Sequence, residues 1–158
     1  MNSDLLKNAI QSLDRHKLIC LKCQIIQLDD CIKFINSLNI NVFNIGKEVS
    51  LFISALEDHS YLNLEVFDFV TTLLEKSKAT LLGLKLPVVA IYNIGILLEP
   101  SLNINVSQLL KDFSRTSALI LVWEGEIDHS DHLYWSPQQN TKFIDFSDIR
   151  INKLQYAI

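Results

Sequence analysis

The chain has 158 residues, 49% of them hydrophobic, which is enough for one domain spanning residues 1–158 to bury a full core. Eighteen acidic against 14 basic side chains give a formal net charge of −4, so no general electrostatic pull draws the chain to nucleic acid or to an anionic membrane. Direct nucleic-acid binding is therefore not expected. The first twenty residues carry Asp4, Lys7, Asp14, Arg15, His16 and Lys17, so no signal peptide is expected, and no apolar run reaches the roughly 18 residues of a membrane span. A cytoplasmic protein whose three cysteines stay reduced is the expectation.

Short apolar runs alternate with longer helical patterns along the chain, as in an α/β sheet. Leu5, Leu6, Ala9, Ile10 and Leu13 fall at helical spacing and predict a helix over residues 3–15 with Ser3 as its N-cap. Leu18 to Leu21 is continuously apolar, as a buried parallel strand is, and a helix follows over about residues 29–38. Residues 41–44 predict a second strand, and Val49, Phe52, Ile53 and Leu56 a helix behind it. The helical pattern returns from Leu64 to Lys76, whereas residues 79–86 read as neither helix nor strand. Val88 to Tyr92 is the next strand, 106–113 a helix, and Ala118 to Trp123 a central strand. Residues 133–135 and 142–146 are candidate edge strands. No repeat or linker interrupts the series. The expected fold is a three-layer α/β sandwich with a mainly parallel sheet of about five strands.

Such a sheet binds its ligand at the carboxyl ends of its strands. A phosphate loop there needs glycines, so that successive backbone N–H groups can curl around the phosphates, and a lysine that reaches them. The segment Leu21 to Cys31 after the first strand contains no glycine, and its one lysine is Lys22. Asp29 and Asp30 fall at the start of the next helix, where they favour the helix and repel a phosphate. At the end of the third strand, where a P-loop NTPase keeps an aspartate for Mg²⁺, the chain has Tyr92-Asn93.

From Asn44 onward the chain resembles BrxF, the small P-loop protein family of BREX phage-defence systems of the third type. The resemblance rests on Asn44-Ile-Gly-Lys-Glu-Val-Ser50, on Asn93-Ile-Gly-Ile-Leu-Leu-Glu-Pro-Ser-Leu102, and on Leu109-Leu110 with Phe113-Ser-Arg115. It continues through Leu119-Ile-Leu-Val-Trp-Glu-Gly125 and Leu133-Tyr-Trp-Ser-Pro137, so that it covers roughly residues 40–146. It implies a P-loop NTPase-like fold and a defence setting. Members carry a glycine-rich loop after the first strand and an Asp-Asn pair after the third, and this chain departs from both. The implication is a pseudo-ATPase: no catalytic residue, no bound cofactor and no metal. Partner subunits of a defence complex are expected to dock instead.

Three residues are candidates for partner binding. Asn93 follows the third strand, where it can face a partner or simply cap the turn before Gly95. Arg115 precedes the central strand, a place from which an arginine of a P-loop assembly can reach across a subunit boundary; its plainer role is a solvated side chain. Glu124 ends that strand and can act as a sensing carboxylate or merely cap a loop, while Trp123 beside it reads as core with its indole N–H satisfied nearby.

Two metal constellations compete with this reading. His16, Cys20, Cys23 and Cys31 supply zinc-type ligands, but alternation along a strand points Cys20 and Cys23 to opposite faces. Asp128-His-Ser-Asp-His132 gathers two imidazoles and two carboxylates in what reads as a solvated loop. Three functions follow: a catalytically silent interaction domain of a phage-defence assembly, a nucleotide-binding protein with an unconventional site built from Asn93, Arg115 and Glu124, and a small metal-dependent or redox enzyme using the cysteines or the His129 and His132 loop. Homo-oligomerisation is an expectation too, because residues 64–76 and 79–86 are more apolar than exposed segments of a monomer.

Overall fold

A computed structural model describes residues 1–12, 14–81, 83–84, 86–135 and 143–157. Five parallel strands form the main sheet: β1 (Leu18–Lys22), β2 (Val42–Asn44), β4 (Pro87–Tyr92), β5 (Ala118–Trp123) and β9 (Asn152–Gln155), in the order β2-β4-β5-β1-β9. The short β3 (Ala79–Thr80) adds a sixth strand, antiparallel to β4. β1 and β5 lie side by side, with Leu18 opposite Leu119 and Lys22 opposite Trp123. β4 flanks β5 on one side and β9 flanks β1 on the other.

The central strands are continuously apolar because both faces of the sheet are covered. Leu18, Cys20, Val89, Ile91, Leu119 and Leu121 pack on one face with α3 (Ile45–Ala55), α4 (Leu62–Ser77) and α5 (Val106–Ser114). Ile19, Leu21, Val88, Ala90, Ile120 and Val122 pack on the other with α1 (Ser3–Ile10) and α2 (Leu28–Ser37). Helix, sheet and helix make the three layers expected. Among the described residues no helix is long and apolar enough to cross a membrane.

Three expectations are corrected. α1 ends at Ile10, and its cap is Asn2, whose Oδ1 accepts the Asp4 N–H at 2.9 Å, rather than Ser3; Leu13 lies outside the described residues. Residues 133–135 and 142–146 are not edge strands of the main sheet. They contribute β7 (His132–Tyr134) and β8 (Phe143–Asp145) to a separate three-stranded antiparallel sheet with β6 (Glu126–Ile127). Lys142 and the Ser136-Pro137 stretch lie outside the described residues, as do Leu82 and Lys85. The true edge strand beside β1 is β9, which the sequence pattern did not mark.

The Asp128 to His132 segment is a solvent-facing turn, with His129 and Ser130 exposed, and it is held by hydrogen bonds of its own. One Asp128 carboxylate oxygen accepts the N–H groups of Ser130 and His132 at 2.8 and 3.0 Å. The other lies 3.0 Å from His132 Nδ1 and accepts the Tyr134 hydroxyl at 3.2 Å. His132 Nε2 is 3.3 Å from Asp145, so the imidazole ties β7 to β8. These donors hold the Asp128 carboxyl down at about 2, the His132 N–H being the largest cause. Asp131, in the left-handed region at φ 60°, reaches Lys153 of β9 at 2.6 Å and fastens the small sheet to the large one.

Candidate functional site at the carboxyl edge of the sheet

All five parallel strands point their carboxyl ends to one edge, and that edge divides into two halves. Over β2 and β4 it is closed. Asn44 ends β2 and caps α3, its Oδ1 accepting the Lys47 N–H at 3.0 Å. The same oxygen accepts the Asn93 side-chain amide at 2.8 Å, and the Asn93 carbonyl in turn accepts the Gly46 N–H at 2.8 Å. Asn93 sits at φ 55°, a conformation that asparagine tolerates better than most residues. Position 46 has to be glycine, because a Cβ there would stand 2.5 Å from the Asn93 amide nitrogen.

One turn further, Trp135 from the small sheet lies directly on Gly95 and meets Trp123 edge-on, with 5.6 Å between ring centroids. The Trp123 indole N–H donates to the Glu126 carbonyl at 3.3 Å, as expected of a buried tryptophan. Thus the Asn93 and Leu133-Tyr-Trp135 stretches, far apart in sequence, meet above the end of β4.

The other half is open. The chain leaves β1 toward β2 at one side of the sheet and leaves β5 toward β9 at the other, so the ends of these neighbours form the switch point where α/β proteins place ligands. A cleft of about 490 Å³ lies there, lined by Lys22, Cys23, Gln27, Glu124, Glu126 and Gln155 among others. Burial raises the Glu124 carboxyl above its ordinary value. Lys22 pairs with Glu126 at 3.2 Å, so its charge is already engaged.

Residues 23–27 connect β1 to α2, where a phosphate loop belongs. They form a single tight 3₁₀ turn, Ile25–Gln27, closed by the Gln27 N–H donating to the Gln24 carbonyl at 2.9 Å. α2 then begins with no side-chain cap and with Asp29 and Asp30 in its first turn. Ile25 and Ile26 stand out into solvent, 76% and 84% exposed.

Of the three predicted partner residues, Asn93 and Glu124 reach the carboxyl edge, one in each half. Arg115 does not join them. It is exposed at the end of α5, before β5 begins, so the length of that strand, roughly 20 Å, separates it from Glu124. The zinc-type ligands divide as alternation requires: Cys20 packs under α3 to α5, Cys23 and Cys31 under α1 and α2. His16 points its Nδ1 at the Lys111 carbonyl, 3.1 Å away. Among the described residues no group of three or more His, Cys, Asp or Glu is placed to hold a metal. The exposed pair Ile25 and Ile26 was missed by sequence reading, although two adjacent isoleucines in a polar turn were the available signal.

Comparison with protein-family models, curated proteins and solved structures yields no match to this chain.

Proposed function

We propose that the chain is a P-loop-like domain without nucleotide chemistry that works as a protein-interaction component of a bacterial phage-defence assembly. The observation that carries this reading is the β1–α2 turn. Phosphate binding at such a turn needs free N–H groups in a glycine-rich curl, a helix N-terminus clear of negative charge and an unengaged lysine. Residues 23–27 contain no glycine, Asp29 and Asp30 occupy the helix start, and Lys22 is paired with Glu126. Tyr92 stands at the end of β4 in place of a carboxylate.

What the turn presents instead is apolar. Covering an exposed isoleucine stabilises by about 1.5–3 kcal/mol, so Ile25 and Ile26 together supply the centre of a contact with another subunit. Leu64 and Phe67 of α4, also exposed, offer a second apolar surface, consistent with a homo-oligomeric or mixed assembly.

A defence locus carrying this gene tests the proposal. Deleting the gene is expected to abolish protection against phage in a plaque assay; the wild-type chain restores it, and the double variant Ile25→Asp/Ile26→Asp does not, despite an unchanged melting temperature. Full protection in the deletion strain overturns the reading.

A further inference from the structure

The cleft over β1 and β5 is rich in acceptors and short of positive charge. Lys22 is the only basic side chain among its described lining residues, and it is already paired with Glu126 at 3.2 Å. The Glu124 carboxylate, half-buried just past the end of β5, has no hydrogen-bond or ion-pair partner among the described residues. Gln155 uses its amide nitrogen on the Lys22 and Tyr156 carbonyls, at 3.2 and 3.4 Å, which leaves its carbonyl oxygen to the cleft. Gln24 and Gln27 also line it, and they flank the exposed Ile25 and Ile26, so the apolar turn stands at the rim of the cleft.

We propose that the cleft receives an arginine side chain from a partner protein, in a segment whose apolar neighbours cover Ile25 and Ile26. The proposal rests on the chain's being a protein-interaction component and names the chemistry of that contact. Two carboxylates against one ammonium leave an uncompensated negative charge in the cleft, and Asp29 and Asp30, exposed on the other side of the turn, have the same sign. An incoming chain is therefore favoured when it brings positive charge and disfavoured when it brings carboxylates or phosphates.

Arginine fits this cleft better than lysine. Its guanidinium carries N–H donors in a fixed plane, so it can meet the Glu124 carboxylate in a bidentate pair while an edge remains for the Gln155 carbonyl oxygen. It is also more weakly hydrated than an ammonium, so less is lost when a half-buried site takes it out of water. The apolar pair at the rim then supplies most of the affinity, and the charge pair beside it selects the partner.

The test uses the tripeptide acetyl-Leu-Leu-Arg-amide and a twin with citrulline in place of arginine, which keeps the shape and loses the charge. Each is titrated into the folded full-length chain with labelled isoleucine methyls and backbone amides, and binding is followed by NMR. The arginine peptide is expected to shift the Ile25 and Ile26 methyls and the Glu124 amide, and the citrulline twin to bind about fivefold more weakly. In Glu124→Gln, which keeps the side chain's shape, the advantage of arginine is expected to fall toward unity. Should that variant fail to fold, the wild-type comparison decides alone. The proposal is overturned if neither peptide shifts these residues at millimolar concentration, if the twin binds as tightly, or if the advantage of arginine survives intact in Glu124→Gln. Those failures differ from failure of the protein-interaction role itself, which shows as full protection against phage in the deletion strain.

Discussion

The two halves of the carboxyl edge solve the same physical problem in opposite ways. Over β2 and β4, backbone and amide groups freed at the strand ends are consumed internally: Asn44 and Asn93 bond each other, Gly46 closes on the Asn93 carbonyl, and Trp135 covers Gly95. Over β1 and β5, the edge opens into a cleft lined by Lys22, Glu124 and Glu126, and the adjoining turn puts two isoleucines into water. The closed half is built for stability. The open half keeps exposed apolar surface and partly engaged charges, features that folding alone does not require.

Substitutions in the closed half, and at Gly125 between the small sheet and the open cleft, should be felt in stability. The largest effect is expected for Gly125→Ala, at the junction with the small sheet, where a Cβ would stand 2.1 Å from the Tyr134 carbonyl oxygen and backbone has to move; urea melts should show a loss of about 3 kcal/mol or more. Gly46→Ala is expected to cost about 2 kcal/mol, because its Cβ would stand 2.5 Å from the Asn93 amide nitrogen and 2.9 Å from the Asn93 carbonyl oxygen, so that side chain and backbone both have to shift. Asn93→Ala removes one side-chain hydrogen bond and places a Cβ-bearing residue without a polar compensation at φ 55°, for a combined loss of about 1–2 kcal/mol. Asn93→Gly isolates the hydrogen bond and should cost less than the alanine variant; equal costs would show that the backbone conformation carries none of the effect.

The small sheet gives a pH prediction of known sign. Asp128 has its folded-state carboxyl at about 2, below the ordinary 3.8, so its contribution is complete above about pH 5 and is lost as pH falls through 3.8 to about 2. Denaturant midpoints measured from pH 5 to pH 2 should fall for the wild-type chain, and the fall should be shallower in Asp128→Asn. Parallel curves would remove Asp128 from the account. In the open half, Ile25→Asp and Ile26→Asp should leave stability within about 0.5 kcal/mol of wild type, because neither side chain is buried in the folded chain. A large destabilisation there would erase the contrast between the halves.

How much of this was legible in the sequence depends on how far each segment's surroundings resemble its pattern. Ala118 to Trp123 was read to the residue because every side chain in it is buried and the run carries no polar interruption. β9 was missed for the converse reason: Asn152, Lys153, Leu154 and Gln155 form an edge strand whose side chains are half or fully exposed, so no apolar run marks it. β7 and β8 were visible as strands, but nothing local to them states which sheet they join.

The same limit applies to the site. The absence of a phosphate loop was plain from composition. The separation of Arg115 from Glu124 was legible too, since the one precedes the Ala118 to Trp123 strand and the other follows it. That Cys23 and Cys31 share one face of the sheet depends on the turn bringing α2 back beside β1, which spacing alone did not reveal.

The central claim, that the open cleft belongs to protein contact and not to nucleotide, is tested most directly by titrating the folded chain with Mg·ATP in a calorimeter. No heat of binding up to millimolar nucleotide is the result predicted by the glycine-free turn, the Asp29-Asp30 helix start and the engaged Lys22. Sub-millimolar binding that disappears in Lys22→Ala would contradict it.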